Sequence, residues 1–497
     1  MLRSLEAKWF VAIAFVFGLF MEILDMTVLN TALPAIGREF GMGTGALQYP
    51  ITAYLVSLAV FIPASGWVGD RFGTKRTFAF ALAMFTGASA LAGASTSMEM
   101  LIFARILQGV GGGMMTPVGT TMLFRAFPVE ERAKASSVLA IPTMIAPALG
   151  PVLGGWLTDT YSWRWIFYLN LPIGLVGLLF TLAFVPEQRA ATVGRFDLPG
   201  FLLGGAGLAS LLVGLERIAS HGLGESLTRT ALIAGLALLA LFTVVELRVK
   251  EPLLDLRLLR NKYYRAGNIA VFVSTGALMG ILFLFPLMLQ QIRGLDATLS
   301  GLTTVAQVLG MFVIMPLGGR IYPALGPRYM MALGFTVISI TIGSMLFVDY
   351  DTSLWLFRAQ LFLMGIGIGL TIVPSQAATF ETISGPDTAN ASALFSTTRQ
   401  IASAAGVALI STVLAHRLDA QLARLGDATA EAYKHAAFNG YQETFMVSLA
   451  FAVIGIGFAF VFRKTVSYKR PGSGDGPGTP AAAPTAMTTA TEPVPAH

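Results

Sequence analysis

Runs of about 20 apolar residues, the length a helix needs to cross the hydrocarbon core of a bilayer, recur along this chain from residue 9 to residue 463. That recurrence constrains the fold more than any other feature. Only 12% of the 497 residues are charged, against roughly 25% in a soluble domain, and mean hydropathy is +0.70. A water-soluble chain of this length would need several domains with charged exteriors, so lipid must supply the missing solvent. The chain is therefore read as all-α and polytopic.

The spans fall at 9–29, 48–69, 76–96, 100–123, 134–158, 163–185, 198–216, 229–247, 264–290, 299–322, 328–348, 353–378, 392–415 and 443–463, fourteen in all. The first is too long for a signal-peptide core and carries Glu22 and Asp25, so it reads as a retained helix. With the N-terminus inside, about 22 of the 33 basic residues lie on the cytoplasmic side and about 9 outside, which sets both termini in the cytoplasm. Short basic runs between spans account for the net charge of +6 without nucleic acid as a partner. There is no cysteine, no metal-ligand spacing among the histidines and no P-loop, so no cofactor or metal is expected.

The chain repeats itself weakly. Gly66, Gly73, Lys75 and Arg105 recur as Gly319, Gly326, Arg328 and Arg358 at an offset of 253, and Ala135, Ser136 and Gly150 recur as Ala391, Ser392 and Gly406 at an offset of 256. The expected organisation is an N-terminal six-helix bundle (1–186), a linker with two additional helices (187–262), a C-terminal six-helix bundle (263–466) and a disordered cytoplasmic tail (467–497). Leu418, Leu422 and Leu425 share a helical face in the longest outer loop, 417–442, which predicts an interfacial helix there.

Four motifs carry chemistry. Gly66-Trp67-Val68-Gly69-Asp70-Arg71-Phe72-Gly73-Thr74-Lys75-Arg76 closes a very short cytoplasmic turn, where glycine permits a tight bend and Asp70 can face basic groups or a helix N-terminus. Arg105-Ile106-Leu107-Gln108-Gly109 puts a guanidinium inside the fourth span, which costs roughly 3 kcal/mol unless it meets a partner or cavity, or snorkels to the outer interface. Gly150-Pro151-Val152-Leu153-Gly154-Gly155 in the fifth span combines small residues for close helix approach with a proline that permits a bend. The first span reads Leu24-Asp25-Met26-Thr27-Val28-Leu29-Asn30-Thr31-Ala32-Leu33-Pro34.

Together these strings resemble the signature loop, the fourth-helix motif and the antiporter motif of the major facilitator superfamily, and the first-span string resembles its fourteen-span drug:proton antiporters, the QacA/EmrB-like branch. Glu251 to Leu256 and Arg399-Gln400 with Gly406 agree with that branch. The resemblance covers residues 8–465. It implies the major facilitator fold, a gate latch at Gly66, Asp70, Arg71, Gly73 and Lys75, and proton coupling that involves Arg105. The second-half copy has Pro323-Ala324 where Asp70-Arg71 stand, so the latch is expected to be asymmetric.

Independently, Glu22 and Asp25 are three residues apart and share one helix face. Helix rise puts Asp25 about 7 Å and Arg105 about 10 Å outward of the midplane, at similar depth. Two carboxylates at this spacing should titrate as a coupled pair. Either Asp25 carries the proton and Glu22 favours cations, or Asp25 merely neutralises Arg105. Arg399 is expected to pair with Glu381 or Asp387, or to be structural. Met21, Met26, Met114, Met115, Met144, Met279 and Met288 suit either an adaptable cavity or plain packing.

The expected function is proton-coupled export of small lipophilic, mainly cationic compounds from the cytoplasmic membrane, with lipid, proton and substrate as partners. A periplasmic adaptor stays open. The alternative keeps the fold and exports a specific siderophore, lipid, antibiotic or metabolite. An enzyme is not expected, because the spans hold no metal cluster or nucleophile–base pair, and a receptor lacks its soluble domain.

Overall fold

The computed structural model describes residues 6–41, 49–128, 131–190, 193–295, 297–422 and 430–462. The expected disordered tail, 467–497, lies outside the described residues. The helices in chain order are α1 (Ala7–Phe40), α2 (Tyr49–Phe72), α3 (Thr74–Gly93), α4 (Met98–Ala126), α5 (Arg132–Thr160), α6 (Arg164–Tyr168), α7 (Asn170–Phe184), α8 (Leu198–His221), α9 (Ser226–Arg248), α10 (Lys262–Leu287), α11 (Ala297–Met345), α12 (Leu354–Phe380), α13 (Thr388–Leu422) and α14 (Ala430–Ala459). Among the described residues there is no β-strand. Ten helical segments among the described residues are long and apolar enough to cross a membrane, with α6 and α7 together making one and α11 holding two. The all-helical expectation is met at that level. The helices α3, α4, α5 and α10 are 20 to 29 residues long but fall outside those ten.

Local sequence explains where the helices start. Ser97, Asp197, Asn261 and Ser353 each accept a hydrogen bond from a backbone N–H in the first turn, of α4, α8, α10 and α12 respectively. Gly41 ends α1 in the left-handed conformation, with φ 64°. The bend between α2 and α3 rests on Gly73, at φ 98°, and α11 kinks at Gly326, at φ 70°. These positions are 253 apart, so the weak repeat in the sequence reappears as the same backbone device.

Helix packing follows the small residues. A Cβ on Gly109 would sit 2.7 Å from the Tyr54 carbonyl oxygen of α2, and one on Gly111 would sit 2.8 Å from the Ala81 oxygen of α3. The glycine run of α4 therefore lets two backbones close on it from two sides, which is how helices associate where lipid removes the hydrophobic drive. One buried apolar cluster is drawn wholly from residues 266–462, another wholly from residues 24–167. Met21, Met114, Met115 and Met288 are buried in such clusters, so for these four the packing reading holds.

The interfacial helix expected in 417–442 is corrected. Leu418 and Leu422 continue α13, Leu425 lies outside the described residues, and Gln421 and Arg417 reach Glu443 of α14. The leucine face that suggested a separate helix begins in the C-terminal extension of α13, which meets α14.

Candidate functional site

Asp25, midway along α1, and Arg105, two turns into α4, form an ion pair, each side chain with 1% of its surface exposed. Arg105 does not snorkel. Its Nε donates to the Pro50 carbonyl at 3.3 Å, and its guanidinium carbon lies 4.3 Å from the centre of the Tyr54 ring. Asp25 Oδ1 accepts from Asn170 Nδ2 at 2.8 Å and from Gln108 Nε2 at 3.1 Å. Gln108 Oε1 in turn accepts from Arg105 at 2.8 Å, and Ser89 Oγ accepts from Gln108 at 2.7 Å. Helices α1, α3, α4 and α7 thus meet in one dry, charge-compensated network. A buried carboxylate is tolerable in this setting because its charge is paired and its lone pairs are occupied.

Glu22, one turn along the same face, is held differently. It is also buried, and Oε2 accepts from Thr116 Oγ1 of α4 at 2.7 Å. The cation acting on it is Arg399, half-buried in α13. This corrects the expected pairing of Arg399 with Glu381 or Asp387. The helix begins at Thr388, so Arg399 stands about 18 Å along it from Asp387, too deep for that partner. Asp387 accepts instead from Ser384 Oγ. The Tyr54 hydroxyl is buried without a hydrogen-bond partner, within the fields of both carboxylates.

At one end of the bundle the latch residues are tied together. Asp70 accepts from Arg125 of α4 at 2.8 Å, and Arg125 Nε donates to the Gly385 carbonyl between α12 and α13 at 3.4 Å. Arg132 donates to the Phe380 carbonyl, and the Phe124 and Phe380 rings meet at 4.5 Å between centroids, tilted by 32°. A Cβ on Gly66 would stand 3.1 Å from the Ala389 carbonyl of α13. Gly73 is packed against Glu187, whose Oε1 accepts from the Lys75 amide at 3.0 Å and whose Oε2 lies 3.7 Å from Arg76. A carboxylate there suits a helix N-terminus. Arg71 is exposed and lines a cleft with Trp67, Gly194, Arg195 and Glu251.

In α5, Gly150 backs onto Thr27 of α1, whose backbone carbon would be 3.2 Å from an added Cβ. Gly154 is buried, Gly155 faces open space, and Pro151 lies in the same helix. The antiporter string is thus a contact surface for the helix that carries Glu22 and Asp25. From sequence alone no role was assigned to Ser89, Tyr54, Thr116, Arg125, Asn170 or Glu187.

Buried charge inside a bundle of membrane-length helices, with α2, α4, α12 and α13 tied at one end, fits a multi-pass membrane transporter. The Major Facilitator Superfamily profile matches residues 15–407 and 267–491, and the chain belongs to that family. It is 33% identical over 406 residues to the multidrug resistance protein B homolog of Mycobacterium tuberculosis (strain ATCC 25618 / H37Rv), covering 80% of this chain and 75% of that one. It is 30% identical over 406 residues to the putative multidrug resistance protein MdtD of Serratia proteamaculans (strain 568), covering 82% and 84%. The crystal structure of the human organic anion transporter MFSD10 (TETRAN) superposes with a TM-score of 0.62 at 15% identity, over 90% of this chain and 100% of that one, a likeness of fold alone.

Proposed function

We propose that this chain is a proton-coupled multidrug exporter of the fourteen-span, QacA/EmrB-like branch, which exchanges protons for small lipophilic, mainly cationic compounds. In this reading α1–α7 and α10–α14 form two six-helix bundles (1–186 and 263–466), and α8 and α9 are the two additional spans in 187–262. The end that holds Asp70, and both termini, face the cytoplasm. The relatives named for multidrug resistance support the export reading.

The observation that carries the coupling is the unequal treatment of two carboxylates on one face of α1. Asp25 has a guanidinium and two amide donors, so protonating it would orphan Arg105 in a dry site. Glu22 has one hydroxyl donor and the more distant field of Arg399. Glu22 is therefore the group at which a proton or a cationic cargo replaces the other at least cost, while Asp25 and Arg105 hold α1 against α4 and supply a fixed charge pair.

Proton release from purified protein tests this. Adding a lipophilic cation should release protons from the parent and none from Glu22→Gln. Equal release from both would place the exchange elsewhere.

A further inference from the structure

A second pair of buried carboxylates lies outside this site. Asp197 caps the start of α8 and Glu246 stands in the last turn of α9, with relative exposures of 8% and 1%. Asp197 Oδ1 accepts from the Gly200 amide at 2.9 Å, and Glu246 Oε2 accepts from the Leu254 amide at 3.4 Å. The other oxygen of each, Asp197 Oδ2 and Glu246 Oε1, is buried without a partner. Both crowd the point where a Cβ on Gly200 would stand, with Glu246 Oε1 2.5 Å away, so the two orphan oxygens approach one another from opposite helices across the Gly200 backbone.

Among the described residues neither carboxylate forms an ion pair. Arg257 spends its guanidinium on the Leu247 and Val249 carbonyls at the end of α9. Asp255 adds negative charge from the following segment, and its Oδ1 accepts from the Arg257 amide. Glu251 is engaged by the Arg195 amide. Arg195 and Lys250 line a cleft of about 410 Å³ that also reaches Asp197. From α2 the nearest groups are Trp67, bonded to the Gly194 carbonyl, and Arg71 in the adjoining cleft. A divalent metal would want six or more oxygen ligands. Two oxygens opposed across a short gap, each already backed by an amide donor, want one hydrogen.

We propose that Asp197 and Glu246 share a proton, forming a second proton-binding site that clasps the α8–α9 hairpin and takes its proton through the cleft at Asp197. One carboxyl then donates to the other, and both orphan oxygens are satisfied. Loss of the proton leaves two like charges in contact and drives the clasp open. Leu253 and Leu254, each 2% exposed, follow Glu246 and would open with it. The effect reaches the transport core, because α8 packs by Gly205 on Val60 of α2 and by Leu208 and Leu212 beside Ile401 of α13.

The chain has no cysteine, so single thiols report on this clasp in purified full-length protein. The measured quantity is the labelling rate of Leu253→Cys by a methanethiosulfonate reagent, divided by that of the exposed Lys250→Cys to cancel thiol ionisation. One released proton makes the ratio rise about tenfold per pH unit below the midpoint and level off above it. Asp197→Asn and Glu246→Gln, which can donate in place of the proton, should each leave the ratio low and flat. A flat ratio in the parent, or a rise that survives in either amide variant, overturns the proposal. Infrared spectroscopy gives a second reading without any cysteine: a protonated-carboxyl stretching component should be present in Glu22→Gln and lost when either Asp197→Asn or Glu246→Gln is added to it. A component unchanged in both double variants would overturn the proposal as well.

Discussion

Replacing Asp25 by asparagine keeps the shape of the side chain and removes the charge that faces Arg105. The guanidinium would then keep the Pro50 carbonyl, Gln108 Oε1 and the Tyr54 ring, but no anion. Breaking one side of a buried pair costs about 3–5 kcal/mol, and the ring contact, present in both proteins, cancels. A loss of about 3–5 kcal/mol is expected from Asp25→Asn, and a similar one from Arg105→Gln, which would strand Asp25 with two amide donors. The double variant carries neither stranded charge, so its loss should fall to about 1–2 kcal/mol of hydrogen bonding. The cycle should therefore show a coupling of at least about 2 kcal/mol, read from reversible unfolding in mixed micelles followed by circular dichroism. Losses that add within about 0.5 kcal/mol would mean that the two groups do not stabilise one another.

Asp70→Asn removes the ion pair with Arg125 at the sealed end, so transport should slow severalfold at unchanged folded yield, and an unchanged rate would deny Asp70 a gating role. Gly150→Ala pushes a methyl into Thr27 and should cost about 1–3 kcal/mol in thermal stability, whereas Gly155→Ala, facing open space, should be neutral. At the opposite end of α1, beyond its membrane-length segment Ala7–Leu29, Glu39 is held below the ordinary carboxylate range by hydrogen bonds from Arg164, with Trp163 adding to it. A depressed folded value makes its contribution present above the unfolded pKa of about 4.3 and lost as pH falls through the folded one. Glu39→Gln should therefore flatten the acid limb of the stability curve below about pH 4.5, and an unchanged limb would contradict the assignment.

Much of this was legible because membrane helices convert sequence position into depth. The rise per residue alone brought Asp25 and Arg105 to one level, and the structure pairs them. The offset of 253 likewise located Gly326 as the counterpart of Gly73, and both adopt positive φ. What depth does not give is the azimuth of a helix about its neighbours. Ser89 and Asn170 reach the Asp25 network from α3 and α7, and nothing in their local spacing separates them from other polar residues in a span. Arg399 was misassigned because the apolar run of α13 begins after its helix does, which placed the residue too near the end. Arg125 and Glu187 complete the latch from 55 and 112 residues away, a relation that only the packed structure exposes.

The central claim is that outward movement of a compound is exchanged for protons at Glu22. Its most direct test is uptake of a fluorescent lipophilic cation into proteoliposomes of purified protein, with an imposed pH gradient acid inside and the membrane potential clamped. The parent should accumulate dye above equilibrium and lose it when the gradient is collapsed. Glu22→Gln should only equilibrate the dye, whatever the gradient. Accumulation by Glu22→Gln equal to the parent's, or accumulation by the parent that survives collapse of the gradient, would contradict the account.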